Sequence, residues 1–387
     1  MTTVRIPRED GSAIRYEMRE PIAFGRPAAP FSARRALAAV HVVADPLADN
    51  SPSSPAHIDW DATLAFRRHV WSWGLGVAEA MDTAQRGMGL DWPAIQELIR
   101  RSIAEARAEG GDIACGANTD QLPEGPASLE AIIEAYSEQV DLIEGEGGQV
   151  VVMCSRNLAS AATSAEDYAR VYDAVLGRAS RPVIVHWLGD MFDPALAGYW
   201  GSGDLEEAAG SFLAVLEENA SRVDGVKISL LEKAHEIDLR SRLPEGVRMY
   251  TGDDYNYPEL IGGDGKHHSD ALLGAFDLIV PAASAALQAL DGGEDEQFHK
   301  ILEPTVPLSR HVFAPPTFYY KTGVVFMAYL NGLQDHFRMV HGLESARSVL
   351  HLARQFVLAD QAGLLADPDL AAHRMSLVLE LAGFTPD

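Results

Sequence analysis

Residues 182–229 decide the fold. The run Pro182-Val-Ile-Val-His-Trp187 is followed by LEEAAGSFLAVLEEN at 205–219, and then by Gly225-Val-Lys-Ile-Ser229. The two outer runs are short and rich in β-branched residues, as buried parallel strands are. The middle segment repeats apolar residues at i, i+3 and i+4, the helical period. Together they read as one strand–helix–strand unit.

The alternation extends in both directions. Strands are expected upstream at Ala36–Asp45, Gly76–Met81, Asp112–Ala117 and Gly148–Ser155, and downstream at Val247–Gly252 and Asp277–Ala283. Helices are expected at Asp61–Trp73, Trp92–Ala108 and Ala165–Leu176, with Asp91 and Ser164 as capping residues. Eight strands at a spacing of about 35 residues predict an α/β fold, a (β/α)8 TIM barrel over 36–292. A doubly wound open sheet often carries a Gly-rich turn after its first strand, and Val43-Ala-Asp-Pro46 offers none. Residues 1–35 read as an N-terminal hairpin and lead-in, TVRIP and SAIRYEM around an Asp10-Gly11 turn. Residues 293–387 read as a C-terminal helical extension packed on the barrel, with helical stretches at Tyr320–Met339, Leu343–Ala359 and Asp369–Ala382.

Composition narrows the function. With 47% hydrophobic and 22% charged residues the 387-residue chain is ordinary globular protein, which excludes disorder and collagen-like structure. Acidic residues outnumber basic ones 56 to 31, and a net charge of −25 repels nucleic acid and anionic membranes. No apolar run reaches the roughly 18 residues of a membrane span. The first residues lack a signal-peptide apolar core, and two cysteines cannot form a disulfide framework. A soluble cytoplasmic protein acting on a small molecule is the expectation.

In a barrel the chemistry sits at the C-terminal strand ends. Lys227 is the informative residue there, because the chain has only five lysines (227, 233, 266, 300 and 321) against 26 arginines. A lysine centred in an apolar strand is costly, and the desolvation that lowers its pKa makes the amine a nucleophile toward carbonyls. The alternative is a lysine whose stem is buried while its ammonium reaches a carboxylate such as Asp253. His186 ends the preceding strand, where an imidazole could move protons or simply hydrogen-bond in the barrel wall. Asp253 and Asp254 end the next strand, to cap a helix or line a pocket.

These residues carry a resemblance. Gly225-Val-Lys-Ile resembles the Schiff-base lysine strand of the dihydrodipicolinate synthase/N-acetylneuraminate lyase superfamily, and Tyr250-Thr-Gly-Asp-Asp254 resembles its Ser-Gly-Asp-Asp one strand later. The resemblance implies an oligomeric TIM barrel, a dimer or tetramer, that forms an imine between Lys227 and a 2-oxo acid or keto sugar, with no cofactor and no metal. It also implies changed surroundings. The family's Gly-Thr-Thr-Gly-Glu appears as Met81-Asp-Thr-Ala-Gln85, where Thr83 keeps one hydroxyl and Asp82 would repel a carboxylate. The catalytic tyrosine falls at His186, and the tyrosine-containing turn after the fourth strand becomes Cys154-Ser-Arg-Asn157. Lys227 and His186 are thus the expected catalytic pair, with Asp82, Thr83, Asp45, Ser155, Arg156, Gly252 and Asp253 expected to bind substrate.

Two expectations lie outside the family pattern. The Gly-rich segment Tyr255–Asp270 reads as a loop over the pocket, with Lys266, His267 and His268 touching substrate or solvent. Asp45, with Asp82, could bind a polyol. Two other functions fit the residues less closely: a metal-dependent isomerase or aldolase using His186, Asp253 and Asp45, and a non-catalytic ligand-binding relative.

Overall fold

The computed structural model describes residues 2–123, 125 and 127–384. Strands β1 (Thr3–Pro7) and β2 (Ala13–Glu17) form the expected antiparallel hairpin, with Thr3 opposite Glu17. Gly11 turns the chain at φ 80°, a conformation that a Cβ disfavours.

Eight parallel strands follow: β3 (Ala36–Ala39), β4 (Gly76–Glu79), β5 (Ile113–Ala117), β6 (Gln149–Val152), β7 (Val183–Leu188), β8 (Val223–Ser229), β9 (Arg248–Thr251) and β10 (Asp270–Leu273). They close in the order β10-β3-β4-β5-β6-β7-β8-β9, a TIM barrel. Helices at Trp60–Ser72, Trp92–Glu109, Leu129–Glu146, Ala165–Arg178, Leu205–Asn219 and Lys233–Arg242 cover its outside. Asp91 caps its helix by accepting a hydrogen bond from Ala94 N, as expected. Ser164 makes no such bond; Asp167 instead accepts from Thr163.

The eighth strand is not where the sequence placed it. Asp277–Ala283 falls in two helices, Ala275–Leu278 and Val280–Asp291. An apolar run of that length reads equally as a buried strand or a buried helix. Pro281, in a first turn that needs no proline N–H, was the discriminating residue. The correction also removes the lid. Tyr257–Gly262 is helical, and the loop after it feeds the N-terminal end of β10. Lys266, His267 and His268 therefore lie at the opposite end of the barrel from the strand ends that carry chemistry. The carboxylate of Asp264 holds that turn, accepting from Lys266 N and His267 N.

The barrel interior is built on a size contrast. Ala39, Ala78 and Ala114 leave room for Leu37, Met81, Met153, Ile184, Tyr250 and Leu272, which pack as a separate apolar cluster. Tyr250 spans this interior, and its hydroxyl donates to Asp224 at 2.7 Å at the N-terminal end, where Arg35 bonds Asp112. The interior is thus closed from below.

The C-terminal helices Tyr320–Leu330, Val349–Gln361 and Pro368–Leu381 form a layer with the hairpin, pinned where Tyr16 donates to Asp360 at 2.6 Å. Every residue of Tyr320–Leu330 is buried. The helix starts at the barrel mouth, where the Tyr320 and Thr83 hydroxyls are 2.8 Å apart. Among the described residues no helix is long and apolar enough to cross a membrane.

Candidate active site

Strand pairing places the central residue. His186 and Lys227 are opposed across β7 and β8, and Lys227 and Tyr250 across β8 and β9. Side chains alternate along each strand. Val226 and Ile228 face the helices, so Gly225, Lys227 and Ser229 face inward, above the apolar cluster. Lys227 is only 6% exposed, and among the described residues no ion pair includes it. Burial lowers its pKa; Asp82 first and Asp254 second hold back part of that fall. The expectation of an ammonium reaching Asp253 is not met.

Gly252 makes the lysine fit. A Cβ there would overlap Ser229 Oγ and sit 2.8 Å from Ile228 O and 2.9 Å from Lys227 Cε. Gly252→Ala is expected to cost about 1–3 kcal/mol of stability, as overpacking does. It should also slow any reaction of the amine, because the stem must move. Chemical denaturation together with the rate of amine labelling checks both.

His186 is fully buried, with Nε2 3.1 Å from Ser229 Oγ and Nδ1 unpartnered among the described residues. Burial, and then the neighbouring Lys227, hold its pKa well below the ordinary histidine value. The imidazole is therefore neutral at neutral pH. It can accept a proton but is not a standing acid.

The two adjacent aspartates divide their roles. Asp253, expected to bind substrate, spends both oxygens on the turn: Oδ1 accepts from Tyr255 N and Asn256 N, and Oδ2 from Asn256 Nδ2. Asp254 is the one that interacts with Lys227. Its Oδ1 accepts from Ala275 N at 2.7 Å, and burial pushes its pKa up to about 7, against the pull of Lys227. Two residues so close along the chain cannot be told apart by sequence when only one can cap.

A strained turn delivers Asp82 and Thr83. Ala80 has φ 51°, unusual for a residue with a Cβ, and its N–H donates to Glu79 Oε1 at 2.8 Å. Glu79 is locked in a fully buried pair with Arg67, both bonds 2.9 Å. Arg86 grips the same turn from the other side, donating to Ala80 O at 3.1 Å and Gly116 O at 2.6 Å. Strain that the surroundings hold so firmly belongs to a functional site more often than to a plain loop. Thr83 is buried against Tyr320, whose hydroxyl burial and Asp82 keep protonated far above neutrality.

Beside Asp82 a cleft of about 990 Å³ opens between the loops that follow β3, β4, β5, β6 and β7, with His341 of the C-terminal extension at its wall. Asp82, Arg86, Asn118, Cys154, Arg156 and Asp193 are among its lining residues. Arg156 lies there, pairing Nε with Asp193 Oδ2 at 2.6 Å. Ser155 does not line it: its hydroxyl accepts from Leu158 N as a helix cap and meets Thr119 Oγ1 at 2.7 Å. Asp45 is outside as well. Its Oδ1 accepts from Leu47 N, and it borders a separate surface depression with His57 and Trp60. The polyol pairing of Asp45 with Asp82 and the ligand set His186, Asp253 and Asp45 therefore do not come together. Among the described residues no group of three or more His, Cys, Asp or Glu side chains converges as metal ligands do.

Behind the turn, Glu236 is buried and accepts from Thr251 Oγ1 at 2.9 Å and Ser269 Oγ at 2.8 Å. Burial raises its pKa from 4.5 to about 8. With the folded value above the unfolded one, its contribution to stability is fully present below pH 4.5 and is lost as pH rises through 8. Glu236→Gln should match the parent melting temperature near pH 4.5 and exceed it by several degrees at pH values above 8. Thermal denaturation across that range tests it.

Sequence reading missed Tyr320 and Lys321. Lys321 was visible as one of the five lysines, and its burial could not be read from a helix apolar on every side. Tyr320 meets Thr83 across 237 positions, and nothing local announces it.

Comparison with known proteins agrees with this architecture. A dihydrodipicolinate synthase from Acinetobacter baumannii, chloride inhibited and complexed with pyruvate, superposes with a TM-score of 0.63 at 15% identity, covering 86% of this chain and 100% of that one. The Aquifex aeolicus dihydrodipicolinate synthase gives 0.63 at 11% identity, over 86% and 99%. CdNal from Clostridium difficile, in complex with mannosamine, gives 0.60 at 13% identity, over 86% and 98%. At these identities the likeness is one of fold, and it is the fold that the lysine-strand motif implied. No curated protein matches the chain. A family model does match, over residues 4–384, and the chain accordingly belongs to the family described as "Protein of unknown function (DUF993)".

Proposed function

We propose that the protein is a class I lyase that binds a 2-oxo acid or keto sugar as an imine on Lys227. The observation that carries this reading is a lysine in the barrel interior, 6% exposed, beside a neutral imidazole and without an ion pair among the described residues. A buried amine without a direct counter-ion is poised to lose its proton. Its lone pair attacks the substrate carbonyl, water leaves, and the iminium then accepts the electron pair of a breaking bond at the adjacent carbon.

Each step moves a proton. Tyr320 stays protonated and shares its hydrogen bond with Thr83, so the pair can donate to the carbinolamine oxygen and take a proton back. Asp254, whose carboxyl pKa burial raises, supplies a charge that the amine feels. His186 is assigned the lesser part of a neutral acceptor. The relatives of like fold support a small carbonyl substrate, one of them being complexed with pyruvate.

Incubation with a panel of 2-oxo acids and keto sugars, followed by borohydride and intact-mass measurement, tests the reading. A stable adduct of the mass of one reduced substrate is expected. No adduct from any compound, with turnover that needs a divalent cation, would overturn it.

A further inference from the structure

The barrel mouth holds a second buried lysine, supplied from outside the barrel. Lys321 is 2% exposed. Its Nζ donates to Phe318 O at 3.1 Å and lies 5.0 Å from the Phe318 ring and 4.7 Å from the Tyr320 ring. An ammonium has three donors, and one is spoken for. Among the described residues no ion pair includes Lys321. The charged groups that act on it are Asp82 and Asp193, which favour its charge, and Arg156, which opposes it. All three line the cleft.

A buried cation is ordinarily paired, because leaving it unpaired costs far more than burying an apolar side chain. Aromatic faces return only part of that cost. Asp193 does not serve as the missing partner, since its carboxylate is taken by Arg156 at 2.6 Å and by Ala195 N at 3.2 Å. The geometry points to Lys321, which stands behind the cleft rather than in its lining, as the docking cation for an acidic group of the ligand, a carboxylate or a phosphate. The C-terminal extension would then contribute to recognition as well as to the roof. This deepens the imine reading, on which it rests only for where the carbonyl goes.

Binding measured without imine formation separates the two claims. Calorimetric titrations would use the parent protein and Lys227→Ala, with pyruvate, dihydroxyacetone phosphate and neutral dihydroxyacetone as probes. At least one anion should bind both proteins saturably, and the neutral ketone should not bind Lys227→Ala. Adding Lys321→Gln, which keeps a donor for Phe318 O but removes the charge, should weaken that anion about tenfold or more at unchanged melting temperature. Which anion responds tells carboxylate from phosphate. Anion binding that depends on Lys321 in a protein that borohydride never labels would keep this inference and reject the lyase. Binding of neither anion, anion binding indifferent to Lys321→Gln, or a loss explained by a fall in melting temperature would each overturn it.

Discussion

Lys227→Ala should remove borohydride-trappable adducts altogether and cut turnover by about 10⁴-fold or more, since no other group replaces a covalent nucleophile. The fold should tolerate the change. Lys227 makes no ion pair among the described residues, so its removal strands no charged partner in contact with it. The relief of a desolvated amine and the loss of a packed four-carbon stem oppose each other. Stability is therefore expected to stay within about 2 kcal/mol of the parent. Single-turnover labelling and thermal denaturation of the same preparation separate lost chemistry from lost folding. A variant that still labels at the parent rate would move the nucleophile elsewhere.

Tyr320→Phe should produce the second-largest effect, of a different kind. The ring would remain stacked on Phe313, 4.4 Å between centroids, and only the hydroxyl beside Thr83 would be lost. Removing a positioned acid–base group typically costs 10²–10⁴-fold in rate. Turnover should fall by about that factor while the adduct at saturation still forms on Lys227. A proportional loss of stability and labelling would instead mark Tyr320 as structural. Normal turnover would return the proton to His186.

Much of this architecture is legible in the chain, for reasons that also mark the limits. β7 and β8 are short, apolar and separated by an amphipathic helix, so local pattern suffices to place His186 and Lys227 at one level. The eighth strand was lost because Asp270–Leu273 is four residues long, whereas the apolar run beginning at Asp277 is longer and looks more like a strand than the strand does. Gly252 is readable as part of a motif, but its reason, the stem of Lys227 passing over it, belongs to the folded barrel. Ser155 and Asp253 read as ligand-binding residues because a side chain that holds a cap or a turn and one that binds a ligand are of the same types. Only the direction of their hydrogen bonds separates them. Asp45 lies beyond the end of β3 at Ala39 and borders a different depression. Tyr320 and Lys321 come from a helix that packs on the mouth through long-range contacts, and no spacing rule reaches that far.

The central claim is that the amine of Lys227 is the nucleophile. Peptide mapping by tandem mass spectrometry, after borohydride trapping with whichever carbonyl compound gives an adduct, tests it most directly. The expected result is one modification, on the peptide carrying Gly225-Val-Lys227-Ile, and none on the peptide carrying Tyr320-Lys321. A modification on Lys321, the other buried lysine at the barrel mouth, would contradict the assignment and make the C-terminal extension the seat of the chemistry.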